Sequence, residues 1–109
     1  VLIADDHPVV RAGLRALLDG EGISMIAEAA DGTSAIAAAR RHHPNVVVMD
    51  FALPGIDVFA AARELGDVRL VLLTTFETDA DVARALRSGA AACVPKDASK
   101  SALVAAIRG

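Results

Sequence analysis

The sequence predicts an α/β domain of the flavodoxin-like, doubly wound kind, with a five-stranded parallel sheet in the order 2-1-3-4-5 and five helices. The first observation behind this is an alternation. Five short apolar runs, at residues 1–4, 23–27, 46–49, 70–74 and 92–94, take turns with five helical patterns. The second is that three of these runs are continuously apolar, as strands covered on both faces are. Strict βαβ alternation with short connections implies a parallel sheet with helices on either side and right-handed crossovers. Of the two common doubly wound orders, 2-1-3-4-5 is the five-stranded one.

Each helix carries its own punctuation. Pro8 suits a first helical turn, and Val10, Leu14, Leu17 and Leu18 form one apolar stripe that ends before Gly20. Asp31-Gly32 reads as a turn, after which Thr33 is placed to cap a second helix carrying Ile36 and running to about His42 before Pro44. Arg40, Arg41, His42 and His43 give that helix a basic, solvated end that complements its dipole. A third helix spans about 58–65 and stops at Gly66. Thr78 with Asp81 reads as a capping box that opens a fourth, ending at Gly89. Ser99 is placed to cap a fifth, with Leu103 and Ile107 turned inward.

Composition narrows the function. A chain of 109 residues, 54% hydrophobic, suits one compact domain with a real core. No apolar stretch is long enough to span a membrane, and no secretory leader is visible. The single Cys93 cannot form an internal disulfide, which suits a reducing, cytoplasmic setting. A net charge of −3 and 3% aromatics, with no Trp or Tyr, argue against this segment itself gripping nucleic acid. The chain opens on a strand-like run without Met and ends at Arg108-Gly109, so the expectation is a domain, 1–109, excised from a longer protein.

In a doubly wound sheet, ligands bind beyond the carboxyl ends of the strands. There the first strand ends in Asp5-Asp6, the third in Asp50 and the fourth in Thr74-Thr75, and Lys96 follows the fifth. Three carboxylates, a hydroxyl and an ammonium should therefore converge. Crowded carboxylates repel one another unless a cation joins them. An oxygen-rich set with open positions suits Mg²⁺, with Mn²⁺ as its substitute. With the acids neutralised and a phosphoryl group clamped beside them, one carboxylate is free to act as the nucleophile, while Lys96 and Thr74 bind the equatorial phosphoryl oxygens. His7 is open to reading as a metal ligand or a phosphate shuttle, but a loop histidine beside this site is the favoured reading, because Mg²⁺ prefers oxygen.

The residues Ile3-Ala4-Asp5-Asp6-His7-Pro8, Val46-Val47-Val48-Met49-Asp50, Leu53-Pro54-Gly55-Ile56-Asp57, Leu72-Leu73-Thr74-Thr75, Gly89-Ala90 and Lys96-Asp97 give the chain, over essentially its whole length, a close resemblance to the receiver domain of two-component response regulators. The Asp-Asp-His-Pro start and the Lys-Asp ending are similar to the subfamily with a LuxR-type helix-turn-helix output domain. The resemblance implies that Asp50 accepts a phosphoryl group from a phosphohistidine on a sensor histidine kinase. It implies that Asp6 binds the metal directly, Asp5 binds it through water, and the backbone carbonyl of Ala52 is a further ligand alongside Asp50. It assigns Thr74 as the switch hydroxyl and Lys96 as the phosphoryl-binding lysine, with Thr75 and Cys93 as neighbours of the switch. It further implies a phosphoacceptor that assists its own modification rather than a turnover enzyme. A homodimer on activation, and DNA contact only through a C-terminal output domain outside this chain, follow from the same likeness.

The chain departs from the family pattern in three places. Cys93 stands where an aromatic ring usually swings inward, Val58 where a glycine is familiar, and Asp97, preceded by Pro95, where a proline often follows the lysine. Cys93 reads as a small apolar residue, and Pro95 suits a strand end or edge. Other classes fit less well. A phosphatase of the haloacid dehalogenase type needs a second aspartate two residues after the nucleophile, where this chain has His7 after Asp5 and Ala52 after Asp50. A nucleotide or flavin fold needs a glycine-rich turn after the first strand, where this chain has Asp-Asp-His-Pro. A stand-alone or degenerate receiver that acts by docking is the remaining alternative.

Overall fold

The computed structural model describes residues 1–74 and 78–109. Thr75, expected beside the switch, lies outside the described residues. Five strands, β1 (Leu2–Ala4), β2 (Ala27–Ala29), β3 (Val46–Asp50), β4 (Arg69–Thr74) and β5 (Ala92–Pro95), alternate with five helices, α1 (Pro8–Gly20), α2 (Gly32–His42), α3 (Val58–Leu65), α4 (Asp79–Arg87) and α5 (Lys100–Arg108). The sheet runs β2-β1-β3-β4-β5 with every pairing parallel, as the alternation predicts.

The side-chain period of two along each strand divides the core between the faces. Leu2, Ala4, Val47, Met49, Leu70 and Leu72 pack with Ile36 of α2, Phe59 and Ala62 of α3 and Ala85 of α4. Ile3, Val48, Val71, Leu73 and Val94 pack with Leu18 of α1 and Leu103 and Ile107 of α5. All three residues of β1 and all five of β3 are buried, which accounts for their continuously apolar character up to Asp50.

Two local readings need correction. β2 is not 23–27 but Ala27–Ala29, because its register is set by β1, with Leu2 opposite Ala27 and Ala4 opposite Ala29. The apolar residues ahead of it serve another purpose. The Ile23 N–H bonds the Leu18 carbonyl at the end of α1, and Ile23 and Met25 pack on the core between α1 and α5. The cap of α2 is Asp31, not Thr33: the Asp31 carboxylate accepts from the Ser34 N–H at 2.8 Å, and the Thr33 hydroxyl reaches the Gly55 carbonyl at 3.4 Å. The expected caps of the last two helices hold. Thr78 and Asp81 form a reciprocal capping box on α4, and the Ser99 hydroxyl accepts from the Ala102 N–H. His43 closes α2 in the left-handed region, behind a last turn of Arg40, Arg41 and His42. Pro95 ends the edge strand β5, where its missing N–H does no harm.

Candidate functional site

The carboxyl ends of β1 and β3 lie side by side, so Asp5 and Asp6, just past β1, meet Asp50, the last residue of β3. Asp5 is fully buried and Asp50 nearly so, whereas Asp6 reaches solvent. Ligand atoms of Asp5, Asp6, His7 and Asp50 all lie within 4.8 Å of one another. Lys96, just beyond β5, extends over β4 and places its ammonium 3.0 Å from Asp50 Oδ2 and 3.8 Å from Asp5 Oδ2. Burial lowers the pKa of Lys96, but the hydrogen bond to Asp50 and the charges of Asp50, Asp5 and Asp6 outweigh it, so the ammonium is held above its ordinary range.

The backbone keeps Asp50 in place. Its Oδ1 accepts from the Ala52 N–H at 3.1 Å, and its carbonyl accepts from the Leu53 N–H at 3.1 Å. The turn thus opens immediately behind the carboxylate. Thr74 is buried at the end of β4, and its carbonyl accepts from the Lys96 N–H at 2.9 Å, tying the threonine and the lysine together through the main chain. Cys93 is partly buried in β5, opposite Leu72, and packs against the core shared by α2, α3 and α4. Val58 is buried in the first turn of α3.

Two participants exceed what the sequence alone foretold. His7 does more than stand in a neighbouring loop, for its Nδ1 lies 3.0 Å from both Asp5 Oδ1 and Asp6 Oδ1, and its backbone N–H donates to Asp5 Oδ1 at 2.8 Å. Its adjacency to the two acids was the available signal. Arg11, on α1, donates from Nη1 to the Asp5 carbonyl and lies 3.6 Å from Glu28 of β2 through Nε. It lies six positions after Asp5, so no local motif announces it.

One atom tests whether a cation fits. Asp5 Oδ2 is buried and, among the described residues, has no hydrogen-bond partner. A buried carboxylate oxygen without a donor costs roughly 1–3 kcal/mol or more. An ion or its bound water at the centre of the cluster would satisfy that oxygen, and the oxygen-rich donor set suits a hard divalent cation.

A cavity of about 680 Å³ lies at the other end of the sheet, lined by residues that include Val1, Ile23, Arg69 and Arg108, and contains none of these acids. Among the described residues no helix is long and apolar enough to cross a membrane.

Comparison with known proteins agrees with this geometry. Residues 1–108 match the family model of the response regulator receiver domain. The chain is 37% identical over 113 residues to the response regulator UvrY of Escherichia coli (strain K12), covering 99% of this chain and 52% of UvrY. It is 38% identical over 113 residues to the response regulator GacA of Pseudomonas aeruginosa, covering 99% of this chain and 53% of GacA. The chain thus spans about half the length of these curated relatives. Among solved structures, a LuxR-family two-component response regulator from Aurantimonas sp. SI85-9A1 superposes with a TM-score of 0.91 at 36% identity, covering 98% of this chain and 80% of that one. A LuxR-family DNA-binding response regulator from Staphylococcus aureus superposes with a TM-score of 0.89 at 25% identity, covering 98% and 93%.

Proposed function

The chain belongs to the response regulator receiver domain family, and from that premise we propose that Asp50 is the phosphoacceptor and that its modification controls an output domain beyond this chain. The observation that carries the reading is the meeting of the Asp50 carboxylate with the Lys96 ammonium at 3.0 Å, inside a cluster that also holds Asp5 and Asp6.

The donor is a phosphohistidine on a sensor histidine kinase. An Asp50 oxygen attacks the phosphorus, a phosphorus–oxygen bond forms and the phosphorus–nitrogen bond breaks. The electron pair and a solvent proton go to the donor imidazole. Lys96 already lies on the attacking carboxylate and follows the charge onto the phosphoryl oxygens. Thr74 supplies the hydroxyl that binds another of those oxygens. Asp6, Asp5, Asp50 and the Ala52 carbonyl would hold a divalent ion, Asp6 directly and Asp5 through water, and Mg²⁺ or Mn²⁺ there would supply neutralisation of the acids and of the incoming phosphoryl charge. Arg11 fixes the main chain at Asp5 and so keeps the cluster in register.

The product is an acyl phosphate bearing up to about two added negative charges. Movement of Thr74 and Lys96 towards it biases the face formed by α4, β5 and α5. With Cys93 on β5, no ring at that position takes part. The changed face favours a homodimer and acts on a DNA-binding domain that follows this one in a cytoplasmic regulator. A DNA-binding response regulator of the LuxR family is among the structural relatives.

The test is incubation with acetyl phosphate or the cognate kinase and Mg²⁺, read by intact mass and peptide mapping. We expect one phosphoryl group on Asp50 and none on the Asp50→Asn protein. Full labelling of that variant places the acceptor elsewhere.

A further inference from the structure

We propose that His7 is a nitrogen ligand within the acidic cluster, so that the site also takes Zn²⁺ and similar borderline divalent ions, in competition with Mg²⁺. The inference rests on the reading of Asp5, Asp6 and Asp50 as a metal site and goes beyond it in giving the site an imidazole.

The geometry brings the ring in. His7 Nδ1 lies 3.0 Å from a carboxylate oxygen of Asp5 and 3.0 Å from one of Asp6, and the set of four possible donors, with Asp50, falls within 4.8 Å. An ion near the centre of such a set is within reach of nitrogen as well as oxygen. A second observation is independent of this crowding: Asp5 is fully buried, and its Oδ2 has no hydrogen-bond partner among the described residues. That oxygen is therefore short of a donor at hydrogen-bond distance even with Lys96 present, whose ammonium stands 3.8 Å from it.

Local structure explains why the ring stays. His7 is the residue before α1, and its own N–H is held on Asp5 Oδ1 at 2.8 Å. Pro8 opens the helix immediately after it. The backbone on either side of the ring is thus fixed. The His7 side chain is 61% exposed, so an ion enters from solvent without opening the core.

Chemistry then sets the preference. Mg²⁺ is hard, holds its water and gains little from imidazole, so oxygen ligands decide its affinity. Zn²⁺ binds imidazole and carboxylate together and stands far above Mg²⁺ for a mixed nitrogen and oxygen set. Removal of the ring should therefore separate the two ions.

The experiment is calorimetric titration of the domain with Zn²⁺ and, separately, Mg²⁺. The proteins are the wild type, His7→Ala, His7→Asn and a His42→Ala/His43→Ala control that removes the other two histidines. We expect one tight Zn²⁺ in the wild type and in the control, displaced by excess Mg²⁺. Both His7 variants should lose about tenfold or more in Zn²⁺ affinity while keeping their Mg²⁺ affinity within about twofold. Asn retains a hydrogen-bonding side chain, so its failure to hold Zn²⁺ distinguishes ligation from loop positioning. Unchanged Zn²⁺ binding in the His7 variants, an equal loss of both ions, or Zn²⁺ that Mg²⁺ does not displace each overturns the role of His7. A wild-type domain that binds neither ion overturns the metal-site reading as well.

Discussion

At the scale of single residues, the roles proposed for the acids, His7 and Lys96 are separable. Asp6 is the partly exposed acid proposed to touch the ion, whereas Thr74 lies at the end of β4. Asp6→Ala should therefore weaken Mg²⁺ binding far more than Thr74→Ala, and calorimetry showing equal losses would remove Asp6 from the ligand set. Thr74→Ala should still label on Asp50 but fail in output. Lys96 allows a second check, because the chain has only Lys96 and Lys100 and no tyrosine. The structure holds the Lys96 pKa above its ordinary 10.5. A base whose folded pKa is raised stabilises fully below its unfolded pKa, and that stabilisation is lost as pH climbs through the folded value. In metal-free protein, Lys96 should titrate above 10.5 by lysine ε-carbon NMR and move down in Asp50→Asn, which removes the largest favourable partner. A Lys96 resonance unmoved by that substitution would mean that the ion pair does not form in solution.

At the scale of elements, two helical glycines make a controlled contrast. Gly13 is exposed in α1, and a Cβ added there meets nothing within 4 Å. Gly13→Ala should raise stability by about 0.5–1 kcal/mol through helix propensity. Gly32 opens α2 against the loop that follows Asp50. A Cβ there would stand 1.7 Å from Ile56 Cγ2, and the Gly32 N–H bonds the Pro54 carbonyl at 2.7 Å. Gly32→Ala should cost about 1–3 kcal/mol through overpacking, and urea denaturation of the two variants should give opposite signs. A matched gain at both positions would mean that the loop behind Asp50 gives way freely. The capping boundary shows what sequence can and cannot supply at this scale. Thr78 and Asp81 were legible because a reciprocal box is a local pattern. Asp31 was harder to choose over Thr33, because both are good capping residues and only the approach of Gly55 and Ile56 to the start of α2 decides between them.

At the scale of the whole molecule, the site was legible because topology does the assembling. Once the order 2-1-3-4-5 is inferred, Asp5, Asp50, Thr74 and Lys96 fall at neighbouring strand ends whatever the loops between them do. What stayed hidden depends on distances that no pattern encodes. The place of β2 is a matter of register against β1, since Ile23 and Met25 are apolar for packing against the core between α1 and α5. The part of His7 depends on a ring reaching two carboxylates, and that of Arg11 on a helix turning its guanidinium back to Asp5. The same assembly makes stability a global report on the site. Two cores on either face of one sheet support buried acids at its rim, so closing those acids with a cation would be felt by the entire domain. An ion that binds only the folded state stabilises it by about 2.7 kcal/mol at one hundred times its dissociation constant. For a domain near this size, that is on the order of 10 °C in melting temperature. Mg²⁺ should therefore raise the melting temperature of the wild type progressively with concentration and leave Asp6→Ala almost unmoved. Because the gain comes from binding at one rim rather than from ionic strength, matched NaCl should not reproduce it. A rise of equal size in Asp6→Ala, or with NaCl alone, would show that the cation acts on surface charge and that the cluster at the strand ends does not hold it.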